Sequence, residues 1–341
     1  MARIVIVSFR LGGYDGVSIE AAKWKGALES LGHDVTTLAG QGDADVVMEG
    51  LAMHATRAPA HDELSRALEG TDVVVVENLV SLPLNVGARD VLCNVLEGRR
   101  AIFRHHDLAW QRAATSHLEP PRNAALWRHV TINELSTREL AERGVDATTI
   151  MNSFDCDPPE GDRSATRDAL GLHNERLILA PTRAIPRKNI AGAITLAERL
   201  HAVLWMLGPP EDGYDHEFAR LVNAANVDVR CGPLAGRSVD DAYAACDLVV
   251  VASHWEGFGN PVLESVTHRR ALALHPYPVA REIINYGFRF FDLADVAGIE
   301  KILERPDEAV IDANLAIARQ HFNITSLAAR LRALLATINV H

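Results

Sequence analysis

Cysteine is scarce in this chain of 341 residues, and the four present, Cys93, Cys156, Cys231 and Cys246, never stand two residues apart. That spacing offers no paired-cysteine zinc site, leaving reduced, mostly buried thiols as the expectation. Long apolar runs are missing as well: none approaches the roughly 20 residues needed to cross a bilayer, so no stable membrane insertion is expected. Positive charge is in deficit, with Lys+Arg 34 against Asp+Glu 45 and a net charge of −11. Such a balance excludes nucleic acid as the main partner and disfavours steady attachment to anionic lipid. Aromatic residues make up only 6% of the chain, and Trp24, Trp127, Trp205 and Trp255 show no stacking arrangement for bases. No sharp internal repeat or low-complexity tract is present.

What is there is an ordinary globular composition, 48% hydrophobic and 23% charged. A chain this long divides naturally into two domains of about 150 residues. Its start, Met1-Ala-Arg-Ile-Val-Ile-Val, reads as a strand rather than a signal peptide, which suggests a cytoplasmic protein. Asn323-Ile-Thr then matches a glycosylation acceptor in spelling only. Short β-rich apolar runs alternate with longer amphipathic stretches, the pattern of strand-helix units building parallel sheets. One set of predicted strands is 4–8, 73–77, 100–104, 130–133 and 148–151; a second is 177–182, 202–207, 227–231, 248–252 and 270–274. Between them, Phe154-Asp-Cys-Asp-Pro-Pro-Glu-Gly-Asp-Arg has the composition of a linker. The resulting α/β reading is two doubly wound, Rossmann-like domains, 1–156 and 157–322, whose ligands gather beyond the carboxyl ends of the strands.

Two strand ends in the second domain carry chemistry. Ser253-His-Trp-Glu-Gly-Phe-Gly-Asn-Pro-Val-Leu-Glu264 sets Glu256 and Glu264 eight residues apart around a glycine-bracketed turn running into a helix. Gly257 and Gly259 allow backbone N–H groups close to a ligand, Pro261 suits the first helical position, and the helix start then faces an anion. The competing reading is a capped helix with two solvated glutamates. At the other strand end Arg183 and Lys188 can converge on a diphosphate, the fork of one complementing the point charge of the other. Standing alone, such a pair is more often solvated; beside the glycine turn it reads as a phosphate clamp.

These elements, with Gly208 after the next strand and Asn152 and Asp155 in Asn-Ser-Phe-Asp, resemble the retaining glycosyltransferases of family 4, of the GT-B fold. In that family two Rossmann-like domains face each other across a cleft. Thr182 and Pro209 depart from the common pattern around the clamp, and Ser153 and Phe154 from the usual Asn-Gly-Val-Asp. By resemblance, Arg183 and Lys188 hold the donor diphosphate, Glu264 the ribose and Glu256 the transferred sugar, with the backbone at Gly257, Phe258, Gly259 and Asn260 completing the cradle. Catalysis is assigned to Glu256, Lys188, Arg183 and His106, the histidine reaching the sugar. A GT-B terminal helix crosses back to the first domain, here from about residue 323 to 341.

In the first domain His105-His106-Asp107 leaves a strand end, where by the resemblance His105 is the second candidate after His106, with a metal site and a merely structural histidine as the rival readings. Gly12 and Gly13 of the loop Leu11–Gly16 match the family's acceptor and phosphate loop, although a plain strand-to-helix turn explains them nearly as well. Glu77 and Asn78, also at a strand end, are candidates to line the acceptor pocket, with an exposed loop the blander account, and Trp110 is a candidate to stack on an acceptor ring. The implied activity moves a hexosyl group from a UDP- or GDP-sugar to a small-molecule or glycan hydroxyl, soluble or of secondary metabolism. No cofactor or metal is expected, because the Arg and Lys pair stands in for a divalent ion. An epimerase or phosphorolytic enzyme of the same fold, and a non-catalytic nucleotide-sugar-binding protein, are the alternatives.

Overall fold

The computed structural model of the protein describes residues 1–13, 15–211 and 213–340; Tyr14 of the glycine-rich loop lies outside the described residues. The chain divides into two compact units, Met1–Ser153 with Ile324–His341, and Phe154–Asn323. In the first unit the strands are β1 (Arg3–Ser8), β2 (Asp34–Ala39), β3 (Val46–Val47), β4 (Val73–Glu77), β5 (Ala101–His105), β6 (Trp127–Thr131) and β7 (Ala147–Thr149). In the second they are β8 (Leu177–Ala180), β9 (Val203–Met206), β10 (Val229–Cys231), β11 (Leu248–Val251), β12 (Leu272–Leu274) and β13 (Phe291–Asp292). They build a seven-stranded sheet of order β3-β2-β1-β4-β5-β6-β7 and a six-stranded sheet of order β10-β9-β8-β11-β12-β13. All these pairings are parallel.

Parallel strands covered on both faces need apolar side chains at every position, and β4, Val-Val-Val-Val-Glu, is buried throughout. Its alternate residues serve opposite faces. Val73 and Val75 pack with Trp24 and Leu28 of the helix Gly16–Ser30. Val74 and Val76 pack with Leu64, Leu68 and Leu92. Each such burial contributes about 1.5–3 kcal/mol. Leu327, Leu331, Leu334 and Leu335 of the helix Leu327–Ala336 recur on one helical face and join the Trp24 cluster, which ties the end of the chain to the first unit.

The chain passes between the units at 153/154 and again at 323/324. The two passes lie side by side, since Phe154 N–H donates to the Phe322 carbonyl at 2.8 Å. The first falls three residues before the predicted 156/157 boundary, because Phe154 is buried against Phe258 of the second unit. No strand was expected at β2, β3 or β13: β2 mixes exposed threonine with buried Val35 and Leu38, and the other two are only two residues long. Several predicted ends run too far. The last residue of the strand expected over 130–133, Asn133, lies beyond β6 and instead caps the helix Glu134–Ala141, accepting from Ser136 N–H at 2.7 Å. Beyond β8, Pro181 has no N–H to give the ladder. Cys93, Cys156 and Cys246 are buried and Cys231 is exposed, all as free thiols. Among the described residues no helix is long and apolar enough to cross a membrane.

Buried between β5 and β6, one ring of the pair His105 Nε2 and His129 Nδ1 donates to the other at 2.9 Å, and the rings stack. Burial lowers both imidazoles, His129 to about 4 from the ordinary 6.5, and His105 well below its ordinary value with the neighbouring histidines reinforcing the effect. The unfolded chain takes up these protons below pH 6.5 while the folded chain refuses them, so stability falls as pH drops through that window. His129 alone accounts for about 3 kcal/mol between pH 6.5 and 4. Native-state hydrogen exchange at β5 and β6 amides should accelerate from pH 7 to 5 after correction for intrinsic rates, and His129→Gln should flatten the dependence. Protection free energies that stay constant across that range contradict the burial argument.

Candidate active site

In the second sheet the strand order reverses between β8 and β11, and the crevice beyond their carboxyl ends is where an open α/β sheet binds ligands. Pro181 and Thr182 leave β8 there, and Ser253 and Glu256 follow β11, lining a pocket with Lys188 and Pro261. The approach of the cations depends on a short turn. Pro186–Lys188 forms one 3-10 turn, and Asn189 ends it in the left-handed region at φ +50°. Asn189 also caps the helix Ile190–Arg199 by accepting from Gly192 N–H at 3.2 Å, while its amide donates to the Ala252 carbonyl at 3.2 Å. The turn is thereby fastened to the end of β11.

Both cations of that turn reach Glu256. Lys188 Nζ and Ser253 Oγ donate to its Oε1, and Arg187 Nη1 donates to Oε2 at 2.6 Å and to the Trp255 carbonyl at 2.9 Å. Glu256 is only 6% exposed. Burial by itself raises its carboxyl, but Lys188 and Arg187 outweigh that and hold it at about 2. Lys188 is lowered, chiefly because its ammonium is buried and because Arg187 and Arg183 lie near, against the pull of Glu256. One carboxylate therefore faces more cationic charge than it neutralises, the condition a pocket needs to draw in a polyanion.

The helix Asn260–Thr267 starts beside this cluster, and its N-cap is Gly259, which has no side chain of its own to accept from the first turn. Gly259 precedes it at φ +89°, and a Cβ there would lie 2.0 Å from Tyr277 Oη, which donates to the Phe258 carbonyl at 2.9 Å. Only glycine fits both the conformation and the contact. One expectation changes in detail: Pro261 is the second helical residue rather than the first. The Phe258 ring is held by Phe154 and Phe322 at 6.0 and 6.3 Å between centroids. Asn260 opens the helix, and Glu264 lies one turn inside it, its Oε2 accepting from Tyr243 Oη at 2.8 Å.

Arg183, near enough to Lys188 to help lower its ammonium, is ion-paired with Glu211. Gly208 backs it: a Cβ at that position would meet Arg183 Cγ at 2.7 Å and Cα at 2.8 Å. The sequence thus identified Lys188 and Glu256 as neighbours but missed Arg187, Ser253, Tyr243 and Tyr277. Arg187 was visible as a basic residue beside Lys188; that the turn would aim both at one carboxylate was not.

In the first unit the corresponding reversal lies between β1 and β4. Glu77, at the end of β4, is fully buried. Its Oε1 accepts from Arg104 Nη1 at 3.3 Å and its Oε2 from His106 Nε2 at 2.6 Å. Burial opposes ionisation, but Arg104 and His106 more than offset it and keep the carboxyl low. Arg104 also pairs with Glu20 at 3.0 Å, donates to Asn152 Oδ1 at 3.2 Å and lies 4.5 Å from the Trp24 ring. This buried network, whose Glu20 and Arg104 were not anticipated, fixes His106 from behind.

Several first-unit expectations are corrected. Glu77 does not line an open pocket, and Asn78 is a buried clamp whose Oδ1 accepts from the N–H groups of His106 and Asp107, each at 3.0 Å. His105 points into the core toward His129, while Asp107 pairs with Arg112 at 2.8 Å, so the three side chains of His105-His106-Asp107 part company rather than converge on an ion. One face of the partly buried Trp110 is taken, since the Arg143 guanidinium lies 4.0 Å from its ring, and its Nε1 donates to Glu139 at 2.8 Å. Gly12 takes φ +78° where Asp43 crowds it, and beyond Gly13 the carboxylate of Asp15 occupies the start of the next helix, accepting from Val17 and Ser18 N–H at 3.2 Å. An anion is less welcome at that helix start than at Asn260.

Two doubly wound parallel sheets, one with a cation-rich pocket at its reversal point, define the architecture of a GT-B glycosyltransferase. Residues 162–334, about half of the chain, match the family described as Glycosyl transferases group 1, and the chain belongs to that family. Mannosylglucosylglycerate synthase of Petrotoga mobilis is 27% identical over 261 residues, covering 61% of this chain and 60% of that protein. The Thermotoga maritima enzyme of the same name is 25% identical over 254 residues, covering 62% and 59%. The matches thus span about 60% of the length of these curated relatives. Among solved structures, Anabaena HepE in complex with UDP-glucose shares the fold with a TM-score of 0.75 at 16% identity, covering 99% of this chain and 100% of that one. Sucrose-phosphate synthase of Thermosynechococcus elongatus does so with a TM-score of 0.75 at 14% identity, covering 99% of each.

Proposed function

We propose that the protein is a retaining glycosyltransferase that moves a hexosyl group from a UDP- or GDP-sugar to the hydroxyl of a soluble small-molecule or glycan acceptor. The observation that carries this reading is the buried Glu256 carboxylate ringed by Lys188 and Arg187 beside the start of the helix Asn260–Thr267, whose N-cap is Gly259. In the proposed reaction the bond between the anomeric carbon and the diphosphate oxygen breaks, and the acceptor oxygen bonds to the same face of that carbon. The acceptor proton passes to the departing phosphate oxygen, and nucleoside diphosphate leaves. The protein supplies little acid-base chemistry and much fixed charge. Lys188, Arg187 and Arg183 meet the growing charge of the diphosphate, and the N–H groups at the helix start add to it. Glu256 faces the transferred sugar, and Glu264 takes the ribose hydroxyls.

Uridine is favoured by HepE, solved with UDP-glucose, and a small polar acceptor by the name of the mannosylglucosylglycerate synthases. The acidic net charge of −11 also fits a soluble acceptor better than one in an anionic membrane, and we read the protein as cytoplasmic. A panel of UDP- and GDP-sugars tests the assignment. A transferase releases nucleoside diphosphate slowly from one of them even without acceptor. Conversion of the sugar with the nucleotide still attached would make it an epimerase, and binding with neither outcome a sensor. We further propose that the arginines and the lysine replace a divalent ion, so EDTA should leave turnover unchanged; activity lost to chelator and restored by magnesium or manganese overturns that.

A further inference from the structure

Glu264 is held from a direction that the reaction itself does not require. Tyr243, on the helix Val239–Ala245, is fully buried, and its Oη donates to Glu264 Oε2 at 2.8 Å. The phenol cannot swing away, because the His268 ring stacks on it with centroids 4.4 Å apart and planes 17° from parallel. His268 is pinned in turn: Nδ1 faces the Glu264 carbonyl at 2.7 Å and Nε2 faces Asp240 Oδ1 at 2.9 Å. A chain of contacts thus runs from Asp240 through His268 and Tyr243 to one oxygen of the carboxylate. Burial, reinforced by the nearby Glu264 charge, raises the Tyr243 hydroxyl well above its ordinary range, so it remains a donor at any working pH.

A glutamate on a helix has several rotamers, and a diol is gripped well only by a carboxylate already in the right one. We propose that Tyr243 is the positioning residue that sets ribose selectivity, by fixing the Glu264 carboxylate in the rotamer that receives the ribose hydroxyls. This rests on the assignment of Glu264 to the ribose, and it adds a specific source for discrimination between ribose and deoxyribose. Loss of a hydrogen bond to a charged acceptor is worth about 10- to 100-fold in affinity.

The test compares UDP with 2′-deoxy-UDP by titration calorimetry, with GDP and 2′-deoxy-GDP run in parallel. Wild-type protein should prefer the ribose form by about 10-fold or more. Tyr243→Phe should bring the ratio close to unity, raise the donor KM and leave kcat within about twofold, the split expected for ground-state binding. Its affinity for inorganic diphosphate should not change, since the clamp is elsewhere. Should that variant fail to fold, His268→Asn, which removes the stacked ring, carries the same expectation. A wild-type ratio near unity overturns the ribose assignment of Glu264 itself. A wild-type preference that Glu264→Gln abolishes but Tyr243→Phe preserves overturns the Tyr243 proposal alone.

Discussion

Replacing Lys188 by Ala should lower turnover at saturating donor by about 100- to 1,000-fold, the loss typical when one preorganised charge is withdrawn from a transition state. Donor binding should weaken far less, because Arg187 and Arg183 remain to hold the ground-state diphosphate. The distinction follows from where charge appears: the leaving group gains negative charge as the sugar bond breaks, and the buried ammonium of Lys188 interacts with that increment more strongly than an exposed cation does. The pH dependence supplies a second readout. Anion binding needs the ammonium, and the Lys188 pKa is lowered by burial and by Arg187, so donor kcat/KM should fall on the basic side before an ordinary lysine, at 10.5, would titrate. Lys188→Arg should remove that basic limb, since a guanidinium does not titrate there, while leaving turnover reduced because its planar fork does not reproduce a point charge beside Glu256. Unchanged turnover in Lys188→Ala with only a raised donor KM contradicts the transition-state role.

Much of this candidate site is legible in the chain itself. The apolar runs of β1, β4, β8 and β11 announce central parallel strands, because such strands are buried on both faces and favour apolar side chains along most of their length. A reader who knows that ligands collect beyond those strands will look at Arg183, Lys188 and Glu256. What the chain hides is direction. His105 and His106 are adjacent and leave the same strand, yet alternation sends one ring into the core against His129 and the other to Glu77. Arg187 and Lys188 are adjacent too, yet a 3-10 turn closed by a left-handed Asn189 aims both at one carboxylate. Arg104, in the middle of a buried strand, gives no local sign that Glu20 and Glu77, 84 and 27 residues away, will neutralise it. β2, next to the two-residue edge strand β3, fails for the opposite reason: half-solvated, it carries threonine and aspartate that read as loop.

Glu256→Gln should separate the two things that Glu256 does, and with opposite signs. As counter-charge, it competes with the diphosphate for Lys188 and Arg187; neutralising it frees both, so nucleoside diphosphate should bind as tightly as before or several-fold more tightly near neutral pH. As partner of the transferred sugar, it places negative charge beside an anomeric carbon that becomes cationic, so turnover should fall by about 100- to 1,000-fold. The ligand-free protein should also lose stability. Breaking one side of a buried pair costs about 3–5 kcal/mol when the remaining charge is stranded. Here the amide can still accept one hydrogen bond, and Lys188 can shed its proton. That second escape predicts a signature: without the carboxylate, burial and Arg187 act on Lys188 unopposed, and the basic limb of kcat/KM moves to lower pH than in wild type. Saturating nucleoside diphosphate should restore most of the lost stability by supplying the missing anion. Weakened diphosphate binding together with wild-type turnover at saturating donor would reverse the roles, leaving Glu256 as an organiser of the cations with no part in the sugar's chemistry.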